Sequence, residues 1–461
     1  MTLFEKAGYG LIGLFFVCLV AIDLFSRRKR HKSRLDEMVD PEAFVLQREA
    51  KMALFAAYAG TLVWRIRTAD ELASNPLDPA GLVRLGFDGI ALWLAIMTLG
   101  QLGARRKRLE SGRQRILSAS PVSLYCLYIC AVLLGVLTAV EPKQVAFRAF
   151  ELAVIVTAAT AAARCLTLEQ ILGVARHIIY ALIATLILSV ALFGREAATP
   201  AGGLIPFRLQ GLLPNISYNS VGTLGIFLVA LGAGPKKINK FALGLGLLLV
   251  VVAQYRTGYI AVMVMFGVWL LARGRAAGAL ITVLMAYPAW LVLHLPALAE
   301  LWGRGEQVEY IDRLGGRTVF WARAIEVAER SPVIGTGLTS GTRNEVFPAL
   351  GRGVISTIHS TWIEAYLGVG IIGVTLVALI LLQAATAAWK VRATTLVPLL
   401  VLTGIAVRSI TGTTIELAGG TLVIFLMIVF AAWRETHDLV PETQETLEQG
   451  RVGVPSGFAG K

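Results

Sequence analysis

Residues 312–373 read DRLGGRTVFWARAIEVAERSPVIGTGLTSGTRNEVFPALGRGVISTIHSTWIEAYLGVGIIG, and the rest of the chain is organised around this stretch. It starts outside any hydrophobic segment, where Arg313 and Arg317 flank a Gly-Gly pair. Residues 318–330 then repeat apolar side chains with the spacing of an amphipathic helix, and a Ser-Pro pair ends that pattern. The stretch finishes where His359 meets the first turn of a long apolar segment. It therefore brings polar side chains to the edge of a membrane bundle.

The composition predicts an integral membrane protein. The chain has 461 residues, of which 56% are hydrophobic and only 16% charged, and its mean hydropathy is +0.69. Apolar runs of roughly 17 to 23 residues alternate with short polar connectors, a pattern typical of membrane-spanning helices and not of a barrel. We therefore expect an all-α fold, a polytopic transmembrane helical bundle of about 12–13 spans.

The predicted spans form one domain, residues 1–433, which contains a long non-cytoplasmic loop at 297–359. Residues 434–461 are polar and poor in aromatic side chains, which predicts a disordered cytoplasmic tail. Charged residues crowd the second predicted span, which makes it the weakest. If that segment or the first does not cross the membrane, the number of spans is twelve and not thirteen. The predicted spans lie near residues 8–25, 50–66, 86–103, 121–140, 146–164, 171–193, 218–233, 239–255, 258–272, 279–296, 360–386, 394–414 and 418–433.

The net charge of +13 comes from basic residues that are concentrated in particular connectors. Basic runs occur in alternate connectors: RRKRHKSR from Arg27, ARRKRLESGRQR from Ala104, PKKINK from Pro235, ARGRAAG from Ala272 and WKVR from Trp389. This alternation is typical of cytoplasmic loops and argues against nucleic-acid binding. The four cysteines lie in or at the ends of apolar segments, which favours small buried residues over a disulfide framework or a metal site.

Two arginines stand at the predicted outer ends of spans. Arg208 lies in the connector before the seventh span, and Arg256 lies between two spans that have almost no loop between them. Fixed guanidinium groups bind phosphate oxygens in pairs, so these residues suit a diphosphate. For Arg256 the alternative is an interfacial anchor whose charged head reaches toward water.

His359 is the strongest candidate for a catalytic base. It follows the single long outer loop, begins a span and carries an imidazole that titrates near neutral pH. Glu364 lies further along the same helix, where it could orient His359 or pair with an arginine. Arg408 is another candidate near the same face, with a buried polar contact as the alternative. The i, i+3 spacing of Arg148 and Glu151 predicts a salt bridge on one helix face.

Five motifs in order carry a resemblance to a known family. They are RLQGLLPN from Arg208, QYRTG around Arg256, GGRTxxW around Arg317, SPxIGTG from Ser331, and HSxWIEAYLGVGIIG from His359. Their order, sides and spacing over roughly residues 120 to 435 resemble the O-antigen ligase and polymerase family of bacterial membrane glycosyltransferases. The family often has other residues at the positions of Tyr255, Ser360 and Gly368. In these departures the chain is more similar to the exopolysaccharide-polymerising branch.

The resemblance implies a metal-independent transferase without a cofactor, in the bacterial inner membrane, with its active site facing the periplasm. Its donor would be an undecaprenyl-diphosphate-linked glycan, and its acceptor a glycan or lipid A core. By position, His359 and Arg256 would be catalytic. Arg208 and Arg317 would bind substrate by the same comparison. From their places at the predicted outer side, Arg313, Glu364 and Arg408 are further predicted substrate-binding residues.

Three alternatives remain open at this level. The enzyme could be a ligase that loads lipid A core, since ligase and polymerase need the same base and the same cations. The chain could be a transporter or flippase of lipid-linked sugars, which predicts ionisable or helix-breaking sites near the middle of the bilayer. It could also be a scaffold subunit without chemistry, which leaves the polar residues at the outer side unexplained.

Overall fold

The computed structural model describes residues 11–12, 14–15, 19, 41–63, 78–109, 120–200, 207–209, 217–278, 280, 317–350, 357–416 and 419–438. Most of the predicted first span, the predicted span at 279–296, Arg313 and the tail beyond residue 438 lie outside these ranges. The α-helices of the bundle are α1 (Pro41–Leu62), α2 (Pro79–Leu109), α3 (Pro121–Leu134), α4 (Pro142–Cys165), α5 (Leu168–Phe193), α6 (Tyr218–Ala233), α7 (Lys240–Val252), α8 (Arg256–Ala272), α9 (Arg317–Ala328), α10 (Thr361–Lys390), α11 (Val397–Thr411) and α12 (Gly420–Asp438).

The predicted all-α bundle is confirmed. Within the described ranges, four helices are long and apolar enough to cross a membrane: α2 over residues 79–104, α4, α5, and α10 with its extension to residue 393. The helices α3, α6, α7, α8 and α11 are apolar but shorter. Helix α1 begins at Pro41, earlier than the predicted start near residue 50, and so includes the charged residues that the prediction placed at its edge. Proline suits a first helical turn because its missing N–H has no partner there.

Short elements join the helices. The strands β1 (Ala198–Pro200) and β2 (Phe207–Leu209) form an antiparallel pair that the sequence did not predict. Tight 3-10 turns occupy Gly135–Leu137, Gly194–Ala197 and Val391–Ala393. A π-helical turn at Thr342–Val346 is followed by one α-helical turn at Phe347–Ala349.

Contacts between helix ends define two distinct ends of the bundle. One end, here called the basic end, carries the connectors with Lys236, Arg273 and Arg392. Contacts at this end include Leu396 N–H to Gly234 O at 2.9 Å. The opposite end, here called the His359 end, holds the first residues of α8, α10 and α12 and the last residues of α11. The described basic connectors therefore lie away from His359, as the charge pattern predicts.

Helix α10 is interrupted inside its apolar length. Gly370 adopts φ 67° and ψ −160°, which no helix contains. The loop before α10 folds back and supplies the missing hydrogen bonds: Ile371 N–H donates to Pro332 O at 2.8 Å, and Thr336 N–H donates to Leu367 O at 2.7 Å. The span predicted near 360–386 is present as α10, and Gly370 interrupts its helical backbone. Such a break is tolerated within an apolar bundle because other protein groups satisfy its backbone.

The amphipathic helix predicted at 318–330 is confirmed as α9. Its buried side chains include Phe320 and Val327, and the Phe320 ring packs edge-on against Phe347 with 5.2 Å between centroids. Together with Val346, Ile358 and Leu367, the buried face of α9 forms a second small core beside the main one. The long loop is thus folded against the bundle and places Arg317 at the first residue of α9.

The last described helix, α12, continues to Asp438, past the predicted domain boundary at 433.

Candidate active site

The last residues of α11 and the turn after them form a meeting point for three other helices. We call residues 411–414 the junction segment. The Thr257 hydroxyl near the start of α8 hydrogen bonds with the Thr411 hydroxyl at 2.6 Å. Arg317, the first residue of α9, donates to Thr411 O at 2.9 Å. Thr361, the first residue of α10, donates its backbone N–H to Gly412 O at 3.2 Å. The junction segment therefore holds the starts of α8, α9 and α10 together.

His359 lies directly before α10 in a left-handed backbone conformation, with φ 60°. Its Nδ1 is 3.3 Å from the Thr357 hydroxyl. Burial, together with the positive charges of Arg317 and Arg408, lowers the pKa of His359 to about 4. The sequence predicted titration near neutral pH, and the structure changes that expectation. The imidazole is neutral at physiological pH and can accept a proton.

Arg408 approaches the same place from within α11. Its side chain is 7% exposed, and Nη1 donates to the backbone carbonyl of Thr413 in the junction segment. Both Arg408 and Arg317 are close enough for their charges to act on His359. The predicted cations in the loop and on α11 thus meet beside the predicted base.

Arg256 is the first residue of α8 and lies at the same end of the bundle. Its neighbour Thr257 contacts Thr411, which also accepts the hydrogen bond from Arg317. The start of a helix presents unpaired N–H groups and partial positive charge, which add to the guanidinium charge. Thr257 beside Arg256 and Thr361 near His359 both contact the junction segment, so Arg256 and His359 lie at the same end of the bundle.

Arg208 sits on β2, where it pairs with Thr199 across the hairpin. Its Nε donates to Ala253 O at 3.4 Å, in the turn that leads to Arg256. Its guanidinium carbon lies 3.1 Å above the Tyr218 ring centroid, a cation–π contact. The hairpin thus places Arg208 beside the turn before α8. No local sequence pattern predicted this strand pair.

Glu364 is 0% exposed. Its Oε2 accepts a hydrogen bond from Ile358 N–H at 3.0 Å, and its Oε1 accepts one from the Thr342 hydroxyl at 2.8 Å. Both carboxylate oxygens therefore have protein partners. This geometry matches the predicted role of orienting His359 better than direct contact with a substrate. Arg313 lies outside the described residues.

The predicted Arg148–Glu151 salt bridge is confirmed, with a distance of 2.6 Å from Nη1 to Oε2. Arg84 on α2 binds the other oxygen of the same carboxylate, and the sequence did not predict this second partner. Arg84 was placed in a connector, and nothing in its local sequence points to α4. The three residues join α2 to α4 inside the bundle.

The threonines of the junction were also missed as site residues. Thr257, Thr361 and Thr411 make the hydrogen bonds that bring the charged residues together. Threonine is common at helix ends, so only the fixed positions of these three beside Arg256, His359 and α11 could have singled them out. Among the residues that the structure describes, no three His, Cys, Asp or Glu side chains are grouped to hold a metal ion. Metal independence stays a prediction.

Comparison with known families gives one match. Residues 241–378 match the family model described as O-antigen ligase, a stretch that contains Arg256, Arg317, His359 and Glu364. No curated protein matches the chain. Residues 241–378 are therefore similar to the O-antigen ligase family, in agreement with the resemblance that the sequence motifs carry.

Proposed function

We propose that the chain is a membrane glycosyltransferase that moves a glycan from an undecaprenyl-diphosphate donor to an acceptor hydroxyl. The proposal rests on the junction segment, which accepts hydrogen bonds from Arg317 and Arg408 and contacts Thr257 beside Arg256 and Thr361 near His359. Members of the matched family act on lipid-linked glycans, which supports the general class of reaction.

His359 acts as the general base in this proposal. The neutral imidazole accepts the proton of the acceptor hydroxyl while the hydroxyl oxygen forms a bond to the anomeric carbon of the donor glycan. The bond from that carbon to the diphosphate oxygen breaks, and undecaprenyl diphosphate leaves with the electron pair. The Thr357 hydroxyl at Nδ1 leaves Nε2 as the nitrogen that takes the proton.

The arginines stabilise the leaving group. Negative charge grows on the diphosphate as the glycosidic bond breaks, and a fixed cation in a poorly hydrated site stabilises that charge more than water does. Arg317 and Arg408 reach the junction segment directly, while Arg208 and Arg256 flank the turn between α7 and α8. Guanidinium groups match phosphate oxygens in geometry as well as charge.

The side of the membrane follows from charge. The described basic connectors gather at the end of the bundle opposite His359, and basic connectors favour the cytoplasm. We therefore place the site at the periplasmic face of the bacterial inner membrane, where the donor glycan is exposed. Between the two family activities we favour polymerisation of exopolysaccharide or O-antigen repeat units, with ligation to lipid A core as the alternative.

The helix break at Gly370 does not favour a transporter. A broken helix in a transporter lines a cavity and offers its open backbone groups to a solute. Here the N–H of Ile371 is bonded to Pro332 O, and Gly337 N–H is bonded to Gly368 O. The loop backbone fills the break, so these groups are not available to a solute.

Glycan transfer by purified variants tests the proposal. We expect His359→Ala and Arg256→Ala each to lower transfer by roughly 100-fold or more, as losses of a base or a fixed cation do. Arg273→Ala is the matched control, because Arg273 lies at the basic end against Trp269, and it should keep wild-type transfer. Wild-type activity in His359→Ala or Arg256→Ala would remove the role assigned to that residue.

The glycan profile of a strain without the gene separates the two activities. Single repeat units that accumulate on the lipid carrier mean that the chain is a polymerase. Full-length glycan that is not attached to lipid A core means that it is a ligase. Uptake of labelled lipid-linked sugar into vesicles without a covalent product would instead identify a transporter.

A further inference from the structure

We propose that Glu364 and Trp321 are positioning residues that hold the backbone before His359 and so fix the imidazole for catalysis. The inference deepens the proposed function and rests on the role of His359 as the base. It assigns to Glu364 a task different from substrate binding, and it gives the long loop a task beyond carrying Arg317.

Glu364 and Trp321 each form a hydrogen bond with one backbone polar group of Ile358. The N–H of Ile358 donates to Glu364 Oε2 at 3.0 Å, and its carbonyl accepts from Trp321 Nε1 at 3.1 Å. That carbonyl belongs to the peptide bond that ends at the nitrogen of His359. The Ile358 side chain is itself buried with Val327 and Leu367 in the small core beneath α9. The residue before the base therefore has no freedom to move independently.

His359 needs such restraint because its backbone is strained. A non-glycine residue at φ 60° is disfavoured relative to the right-handed region and persists only when its surroundings hold it. On the C-terminal side, the Thr361 N–H and hydroxyl both donate to Gly412 O, at 3.2 Å and 3.0 Å. On the N-terminal side, Glu364 and Trp321 supply the corresponding restraint.

Glu364 also connects this segment to the folded part of the loop. Its Oε1 accepts from the Thr342 hydroxyl at 2.8 Å, and Thr342 begins the π-helical turn. The carboxylate is fully enclosed, so it reaches no substrate. Trp321 belongs to α9, on the other side of the same small core. Two separate pieces of the loop thus meet at the residue before the base.

Substitutions at Glu364 separate geometry from charge. A glutamine can keep both hydrogen bonds, because its carbonyl accepts from Ile358 N–H and its amide donates to the Thr342 hydroxyl. We expect Glu364→Gln to keep kcat within about threefold of wild type, a loss within the range of one weakened hydrogen bond. Glu364→Ala removes both bonds and should lower kcat by up to about 100-fold with an unchanged KM, as small misplacements of a reacting group do.

Trp321→Phe tests the hydrogen bond to the Ile358 carbonyl independently of Glu364. It removes one N–H and keeps most of the packing, so we expect kcat to fall by roughly tenfold. The matched control is Trp362→Phe. Trp362 also donates through Nε1 to a buried acceptor, the Ser409 hydroxyl at 3.2 Å, but it makes no bond to residues 357–359. It should leave kcat unchanged.

Several results overturn the positioning role. Glu364→Gln as inactive as Glu364→Ala would mean that the carboxylate acts through its charge or its proton. A rise in KM without loss of kcat would mean that Glu364 binds substrate. Wild-type kcat in both Glu364→Ala and Trp321→Phe would mean that neither residue positions the base. If His359→Ala itself keeps full transfer, the proposed function fails, whereas an inactive His359→Ala beside an active Glu364→Ala rejects only the positioning role.

Discussion

Two groups of arginines in this protein have different partners. Between α2 and α4, Arg84 and Arg148 both contact the carboxylate of Glu151, so positive and negative charges meet directly. At the His359 end, Arg317 and Arg408 donate to backbone carbonyl oxygens of the junction segment. A carbonyl oxygen satisfies a hydrogen bond but carries no formal charge, so it does not neutralise a guanidinium group.

Arginine therefore serves two purposes in this protein. The Glu151 carboxylate forms ion pairs with both arginines. These pairs join α2 to α4 and reduce the positive electrostatic potential that a ligand would meet there. At the junction segment no such carboxylate partner is seen for Arg408 among the described contacts, and burial, together with the positive charges of Arg317 and Arg408, lowers the pKa of His359 to about 4. A site that repels a proton from histidine is suited to attract a diphosphate.

The largest effect is expected in stability at Glu151. Glu151→Gln removes the shared carboxylate and leaves the charges of Arg84 and Arg148 buried without it, which should lower the free energy of unfolding by about 3–5 kcal/mol. Thermal unfolding of the purified protein measures this loss.

The matched control is Glu326→Gln on α9. Glu326 pairs with Arg323 at the same i, i+3 spacing, but its side chain is 60% exposed, and exposed pairs contribute little to stability because water screens them. Equal destabilisation by the two substitutions would contradict the structural role of the α2–α4 group.

A second large effect is expected in turnover at Arg408. Arg408→Gln removes a fixed cation beside His359 and should lower kcat for glycan transfer by about 100-fold, since the leaving diphosphate loses part of its stabilisation. Arg408→Lys keeps the charge without the planar group and should recover part of the activity. Transfer assays with a defined lipid-linked donor measure both. A variant that unfolds more easily but transfers glycan at the wild-type rate would place Arg408 with the structural arginines instead.

The smallest expected effect is a shift in pH dependence. Because the free-protein pKa of His359 is about 4, kcat/KM should stay high as pH falls to 5 and should decline only as pH passes through about 4. Removing a neighbouring positive charge favours the protonated imidazole, so Arg408→Gln should move this acidic limb to higher pH, by up to about one unit. Arg408→Lys should leave it in place. A wild-type limb near the ordinary histidine value of about 6.5 would contradict the electrostatic contrast.

Local patterns in the sequence predicted most of the helices. The apolar runs gave their positions, the spacing of residues 318–330 gave α9, and the basic connectors separated the two ends of the bundle. The i, i+3 spacing gave the Arg148–Glu151 pair. Each of these signals depends on neighbours within a few turns. The break at Gly370 was missed because the apolar run continues through it, and the bonds that stabilise the break come from residues 332–337.

A helical membrane protein with one long polar loop can be predicted from the amino-acid sequence, because hydrophobic spacing and charge distribution are properties of the local chain. The types of residue that the proposed chemistry needs are also visible there. Which of these residues meet depends on the packing of the helices. Thr257 and Thr411 are 154 residues apart along the chain, and Glu364 reaches Thr342 and Ile358 only after the loop folds back. Hydrogen bonds depend on distances of a few ångströms, and those distances are fixed by the packing of helices that are remote in sequence.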